Sequence, residues 1–159
     1  MTNIVLRDVA TSDLDVFFEQ ERDPQAYQMA AFTAKDPDDR EAFDRHWQKI
    51  MADEQNFIQT IVLDGEVAGS VATFVAFGER EITYWIGRAY WGRGIASRAL
   101  GLFLEVIRER PLFARAAKDN LGSIRVLEKN GFQRVGEERG FANARGEEIA
   151  EIVFRLDAV

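Results

Sequence analysis

One glycine-rich stretch, Trp91–Ser97 (WGRGIAS), has the residue types that can hold an anion. It lies between a β-prone run that ends near Gly87 and a helical run that begins near Ala96. Glycine lets a backbone approach a ligand closely, and the first N–H groups of a helix have no partners within that helix. The positive end of the helix dipole favours a phosphate at this point. Taken alone, these residues fit a phosphate site and a tight turn with close helix packing equally well.

Two common phosphate-binding motifs do not fit the stretch. The dinucleotide fingerprint G-x-G-x-x-G needs a third glycine where this chain has Ser97. The preceding strand also ends an antiparallel meander, whereas the fingerprint opens a strand–helix–strand unit. The phosphate-loop pattern G-x-x-x-x-G-K-[ST] is absent from the sequence.

The elements around this stretch predict one α/β domain over residues 1–159, with the order β-α-α-β-β-β-α-β-α-β-β and a mixed, mostly antiparallel sheet. Apolar periodicity and capping residues predict helices near Thr11–Glu21, Asp36–Asp53, Ala96–Glu109 and Leu121–Asn130. The segment Gln25–Lys35 has no clean period and is interpreted as a loop or a broken helix. Period-two patterns predict strands near Ile4–Val9, Asn56–Leu63, Val67–Phe77, Arg80–Gly87, Leu112–Ala117, Gln133–Arg139 and Glu148–Leu156.

Composition excludes several kinds of chemistry. The chain of 159 residues has no cysteine and one histidine, His46, so we expect no disulfide, no thiolate nucleophile and no metal site. The formal net charge of −7 argues against nucleic acid as the main partner. No apolar run reaches membrane-spanning length, and Met1–Ile4 is not typical of a signal peptide, so we expect a cytoplasmic protein without a membrane partner.

A second motif, Asn120–Phe132 (NLGSIRVLEKNGF), follows the next predicted strand. Together with Tyr84–Ile86 and Tyr90–Ser97, it resembles the GNAT superfamily of acyl-coenzyme A N-acyltransferases, and within it the RimJ/RimL type of ribosomal-protein N-terminal acetyltransferase. The order of the elements agrees along essentially the whole chain. The wider superfamily often has Gln or Arg at the position of Trp91, and the RimJ/RimL branch tolerates Trp there.

The resemblance implies acetyl-coenzyme A as the cosubstrate and a set of residues that bind it. Amides of the glycine-rich stretch would hold the pyrophosphate, and a strand edge opened toward the next strand would bind the pantetheine arm. The implied binding residues are Trp85, Ile86, Gly87, Gly92, Arg93, Gly94, Ile95, Ala96, Ser97, Asn120, Ser123 and Lys129. No metal is implied.

The implied catalytic residues are Ser123, Asn120 and Glu81. Many family members protonate the leaving thiolate with a tyrosine, but Leu127 occupies the matching position, which makes Ser123 the best replacement. The alternative for Ser123 is that it only caps the helix or faces solvent, and Asn120, which matches a pantetheine-binding asparagine, could be a plain helix cap. Glu81, the candidate general base, matches a position where the family often carries an acid, with a solvated strand-end charge as its alternative. Tyr84 is among the aromatic residues that could line an acceptor pocket or form core.

The function that follows is acetyl-coenzyme A-dependent transfer of an acetyl group directly to a primary amine, either a protein N-terminus or a small amine. Without a cysteine, the usual acyl-enzyme nucleophile is missing, which favours direct attack. The missing tyrosine keeps a second hypothesis open, a catalytically weak sensor that binds an acyl-coenzyme A. The expected partners are therefore acetyl-coenzyme A, an amine acceptor and, as an open option, a second copy of the chain.

Overall fold

Alternating apolar side chains build the sheet, and wide apolar stripes build the helices that cover it. A computed structural model describes residues 3–158, so Met1, Thr2 and Val159 lie outside it. Met1 and Thr2 belong to the segment that was compared with a signal peptide. The strands are β1 (Ile4–Asp8), β2 (Phe57–Leu63), β3 (Glu66–Ala76), β4 (Glu79–Ile86), β5 (Leu112–Ala117), β6 (Gln133–Ala142) and β7 (Glu147–Leu156). The helices are α1 (Asp13–Arg22), α2 (Pro24–Ala30), α3 (Arg40–Ala52), α4 (Ile95–Val106) and α5 (Leu121–Lys129).

The seven strands form one sheet in the order β1-β2-β3-β4-β5-β7-β6. Every neighbouring pair is antiparallel except β4 and β5, which are parallel. The predicted fold class, an α/β domain with a mixed and mostly antiparallel sheet, is confirmed. The parallel pair follows from the α4 crossover, because a helix must return the chain to the same end of the sheet.

The main core lies between one face of the sheet and α4. That helix buries Ile95, Ala99, Leu100, Phe103 and Leu104 against the strands. On the other face α1 lies against β3 and α2 against β5, and α3 packs on α1, where the rings of Phe17 and Trp47 stack with their centroids 5.0 Å apart. The candidate site opens through the sheet between these two layers, at the gap between β4 and β5.

Asp13 ties the start of α1 to two strands. Its carboxylate accepts hydrogen bonds from both terminal nitrogens of Arg7 at 2.7 and 3.0 Å, from the Ala10 amide at 2.8 Å and from the Thr60 hydroxyl at 2.7 Å. The Asp13 side chain is only 4% exposed, and the Arg7 hydrogen bond is the largest cause that lowers its pKa to about 2. A charge buried to this extent stabilises a fold only when it is fully paired, as it is here.

Besides the four predicted helices, the described residues contain a fifth, α2, within the segment interpreted as a loop or a broken helix. Asp23 caps this helix: its side-chain oxygen accepts from the amides of Gln25 at 3.1 Å and Ala26 at 3.0 Å, and Pro24 follows at the first helical position. The pair Asp23-Pro24 also ends the preceding helix, α1. The same pair is also a start signal, since proline at the first position loses no helical hydrogen bond.

Three predicted boundaries were wrong. Helix α4 ends at Val106, before the predicted end near Glu109. The helix expected from Asp36 begins at Arg40, because the Asp36 side chain accepts from the Asp38 amide in a turn and Asp39 provides the cap. Strand β6 runs to Ala142, beyond the predicted end at Arg139, because its pairing with β7 continues. Cross-strand pairing of this kind leaves no local signal in the sequence of an exposed edge strand.

Candidate active site

Strands β4 and β5 pair at one position and then separate. The only register pair between them within residues 3–158 joins Glu81 to Phe113, although β4 continues to Ile86 and β5 to Ala117. The Gly87 amide donates to the Ala68 carbonyl at 2.8 Å, so the alternation of a strand turns the main-chain groups of Ile86 away from β3 and toward the gap. The sheet therefore exposes main-chain donors and acceptors in its interior.

The glycine-rich turn closes one end of the gap. Gly92 and Gly94 have φ angles of 75° and 73°, which favour glycine over residues with a Cβ. Gly94 precedes the first turn of α4 and provides no side-chain cap, so the amides of Ile95, Ala96 and Ser97 begin the helix without one. These residues all line one cavity, as the anion-site interpretation requires.

Trp91 lies across the opened edge of β4. Its indole Nε1–H donates to the Ile86 carbonyl at 2.9 Å. The carbonyl that β5 would have bonded in a continuous sheet is thereby satisfied by a side chain from the same turn. Sequence reasoning did not anticipate this bond, because a Trp in a turn carries no signal for its partner.

The opposite wall is the first turn of α5. The Asn120 side-chain oxygen accepts from the Ser123 amide at 3.2 Å, and its Nδ2 donates to the Met29 carbonyl at 3.4 Å. Asn120 is therefore the helix cap that was one of its two predicted interpretations. It also connects α5 to α2.

A pair of hydroxyl groups joins the two walls. The Tyr84 phenol oxygen lies 2.6 Å from Ser123 Oγ and 3.3 Å from the Ser123 carbonyl oxygen. Burial raises the pKa of Tyr84 to about 12, while the hydrogen bond with Ser123 opposes the shift. The phenol therefore stays protonated throughout the neutral pH range.

The cavity between these walls has a volume of about 640 Å³. Its rim carries the cations Arg125 and Lys129, four residues apart on α5, together with Asp119. Ten of the twelve predicted binding residues line it: Trp85, Ile86, Gly92, Gly94, Ile95, Ala96, Ser97, Asn120, Ser123 and Lys129. The structure thus collects residues from four separate segments of the chain around one space.

Two predicted binding residues do not line the cavity. Gly87 is buried, and a Cβ there would contact the Gln20 side chain. Arg93 is exposed, and its guanidinium lies 5.9 Å from the centroid of the ring of Tyr90, which does line the cavity. Sequence reasoning missed Arg125, whose spacing from Lys129 on one helix face was the available signal.

Glu81 lies on the other face of β4 from Tyr84, because the two residues are three positions apart on a strand. Its side chain is 9% exposed, and one carboxylate oxygen is 3.5 Å from Nε of Arg115. Burial raises the pKa of Glu81, while Arg115 lowers it. Arg115 also pairs with Glu138 at 2.6 Å and Glu151 at 3.1 Å. Glu81 is thus a buried acid next to the separation point, outside the cavity lining.

His46 is an exposed residue of α3 and does not line the cavity. Across residues 3–158, the structure brings together no group of three His, Cys, Asp or Glu side chains suited to a metal ion. No helix in this part of the chain is long and apolar enough to cross a membrane.

A sheet opened between parallel strands, with a glycine-rich helix start at the gap and cations on the rim, is suited to an extended ligand that carries phosphate. Residues 3–133 match the family described as acetyltransferase (GNAT) domain, and the chain belongs to this family. The family resemblance drawn from the motifs is confirmed. Over 83 residues the chain is 31% identical to a Bacillus licheniformis protein described as an uncharacterized N-acetyltransferase, p20, and the match covers 50% of this chain and 47% of that protein.

Solved structures share the fold over nearly the full chain. Mycobacterium smegmatis RimJ, solved with a coenzyme A disulfide, has a TM-score of 0.81 and 21% identity, with coverage of 98% of this chain and 82% of RimJ. RimL, described as a ribosomal L7/L12 alpha-N-protein acetyltransferase in complex with coenzyme A, has a TM-score of 0.81 and 18% identity, with coverage of 97% and 93%. A probable acetyltransferase has a TM-score of 0.80 and 23% identity, with coverage of 97% and 92%.

Proposed function

We propose that the chain is an acetyl-coenzyme A-dependent N-acetyltransferase that moves the acetyl group directly to a primary amine. The observation that carries this proposal is the gap between β4 and β5, which turns the Ile86 amide toward the cavity whose lining includes the helix start at Gly94. A thioester carbonyl needs an N–H donor where its oxyanion develops, and a pyrophosphate needs amides and positive charge. The lining of the cavity includes residues that can provide both kinds of group.

Each wall has a part in the reaction. The amides of Ile95 to Ser97 would hold the pyrophosphate, with Arg125 and Lys129 near enough to add charge at the rim. The Ile86 amide would polarise the thioester carbonyl. When the amine attacks, the new C–N bond forms and the C–S bond breaks, so negative charge develops on sulfur. Ser123 would donate a hydrogen bond to that sulfur.

Direct transfer is supported by the lack of an activated nucleophile. The chain has no cysteine. Ser123 pairs with a phenol whose pKa is about 12, which stays protonated and cannot remove the serine proton. An acyl-serine intermediate would need a base at that position.

For the general base we propose Glu81, acting through water because it lies outside the cavity lining. Its burial and raised pKa are the properties that a base needs to take a proton from an ammonium group near neutral pH. We propose a protein N-terminus or a small amine as the acceptor.

A second function, an acyl-coenzyme A sensor with little turnover, is favoured by one observation. Leu127, which occupies the position of the tyrosine acid in many family members, is 1% exposed and packs in the core, so it provides no proton. Such a module would bind acetyl-coenzyme A as tightly as an enzyme does.

Thiol release in the presence of acetyl-coenzyme A and a panel of amines and peptides distinguishes the two functions. The protein contributes no thiol background because it has no cysteine. We expect turnover with at least one amine, and S123A should lower kcat by about 10- to 100-fold with little change in KM for acetyl-coenzyme A. S12A is the matched control, since Ser12 is exposed and makes no side-chain cap bond.

Tight binding of coenzyme A without turnover of any acceptor would support the sensor. The variant G94E places a carboxylate at the start of α4, so we expect it to abolish binding in either case. If coenzyme A does not stabilise the wild-type protein, and the G94E variant behaves in the same way, both functions are wrong.

A further inference from the structure

The hydroxyl pair across the cavity is built from two separately anchored walls. Tyr84 belongs to β4 and its ring packs against the main core, while Ser123 belongs to the first turn of α5 and its amide is held by the Asn120 cap. Both residues line the cavity. The 2.6 Å separation of their oxygens is therefore fixed from both sides.

We propose that Tyr84 is a positioning residue that donates its phenol hydrogen bond to Ser123 Oγ and so directs the Ser123 proton toward the sulfur of the bound thioester. This inference rests on the proposed function, because it assigns the sulfur to the cavity near Ser123. It adds a residue outside the predicted catalytic set and explains how a serine can act where Leu127 has replaced a tyrosine.

The direction of the hydrogen bond follows from the chemistry of the two groups. A phenol is a stronger acid than an alkyl hydroxyl, so the stable arrangement has Tyr84 as the donor and Ser123 Oγ as the acceptor. The other acceptor available to the phenol, the Ser123 carbonyl, is 3.3 Å away and forms the longer bond. With its lone pair occupied by Tyr84, the Ser123 hydroxyl is free to turn its own proton into the cavity.

The pair stabilises a thiolate without losing a proton to it. The pKa of Tyr84, about 12, lies above the value of about 8.5 for an ordinary thiol, so complete transfer from the phenol to sulfur is uphill. When the C–S bond breaks, its electron pair stays on sulfur and the Ser123 O–H donates a hydrogen bond to it. The attacking amine loses one proton to Glu81 through water, solvent returns one proton to the thiolate to give free coenzyme A, and both hydroxyls end the cycle unchanged.

The ionisation of bound coenzyme A tests this arrangement without requiring an acceptor. Thiolate absorbance in the ultraviolet can be followed as pH rises, and with no cysteine in the chain the only thiol in the sample is the ligand. We expect the thiol pKa of bound coenzyme A to lie about one unit below that of free coenzyme A, a tenfold change in its ionisation constant. The charged groups of the lining, Asp119, Arg125 and Lys129, stay the same in every variant.

Three variants separate the contributions of the two hydroxyls. S123A should abolish the shift, Y84F should remove at least half of it, and Y84F/S123A should match S123A alone, because Tyr84 acts only through Ser123. Y27F is the matched control: the Tyr27 hydroxyl donates to the Ala34 carbonyl at 2.7 Å outside the cavity lining, so its removal should leave the shift intact. In turnover assays, Y84F should lower kcat by about tenfold and change KM for acetyl-coenzyme A by less than about twofold.

The inference is overturned if Y84F shows the wild-type shift, or if the double variant shifts the thiol pKa further than S123A does. Wild-type turnover with no thiol shift would also overturn it while leaving acetyl transfer intact. A shift that depends on both hydroxyls, with no amine acetylated, would uphold the pair and reject the transferase proposal.

Discussion

Replacing Asp13 with asparagine should destabilise the fold by an amount that depends on pH. The pKa of Asp13 falls from 3.8 to about 2, and at about 1.4 kcal/mol per unit this corresponds to about 2 kcal/mol of stability from the ionised carboxylate. Because the pKa of Asp13 is lower in the folded state than in the unfolded state, this stability is present above pH 3.8 and is lost as the pH falls toward 2. The linkage between proton binding and folding predicts that about 1 kcal/mol of this stability is lost by about pH 3.

The measurement is urea denaturation of wild type and D13N at about pH 7 and about pH 3. The difference in free energy of unfolding should shrink from about 2 kcal/mol to about 1 kcal/mol as the pH is lowered. D15N is the control: Asp15 lies on the same turn, but its side chain is 75% exposed in its pair with Arg40, so the change should cost less than about 1 kcal/mol at either pH. A D13N effect that is independent of pH, or no larger than that of D15N, would refute the reasoning.

Three further predictions test other parts of the fold and site. Burial raises the pKa of Glu21 from 4.5 to about 7, so the protein loses stability as pH rises through that range. E21Q should therefore stabilise the protein by at most about 3 kcal/mol at about pH 8 and have no effect near pH 4. The free energy of unfolding, measured at the two pH values, tests this difference. G69A should lower stability by about 3 kcal/mol, since a Cβ there would overlap the carbonyl oxygen of Trp85, whereas G136A, with open space around it, should leave the Tm nearly unchanged. E81Q should shift the pH–rate profile toward alkaline pH, because the amine must then deprotonate without the base; an unaltered profile would remove Glu81 from the mechanism.

The sequence predicts most of this fold because its signals are local. The hairpin between β2 and β3 follows from Asp64-Gly65, and the apolar stripe of α4 predicts a helix packed on a sheet. Sequence reasoning left the segment of α2 open between a loop and a broken helix although a start signal was present, because Asp23-Pro24 both ends one helix and starts the next. The extent of β6 depends on its pairing with β7, which no local pattern records.

The same distinction between local and long-range features holds for the candidate site. Motifs located both walls, since glycine in the turn and Asn120 at the start of α5 each have a backbone role that the sequence reveals. The bonds between walls were not predictable. The pairing of Tyr84 with Ser123 spans 39 positions, and the bond from Asn120 to the Met29 carbonyl spans 91. Such contacts follow only from the packing of the completed sheet.

The gap in the sheet also creates two strand edges inside the molecule, and an unpaired edge can recruit any extended chain. Trp91 limits this hazard, because its indole occupies the Ile86 carbonyl and removes one acceptor from the edge of β4. An incoming strand needs alternating donors and acceptors, whereas a thioester carbonyl needs only a donor. By blocking the acceptor, Trp91 makes this edge selective for ligands that bring lone pairs and unfavourable for another strand of protein.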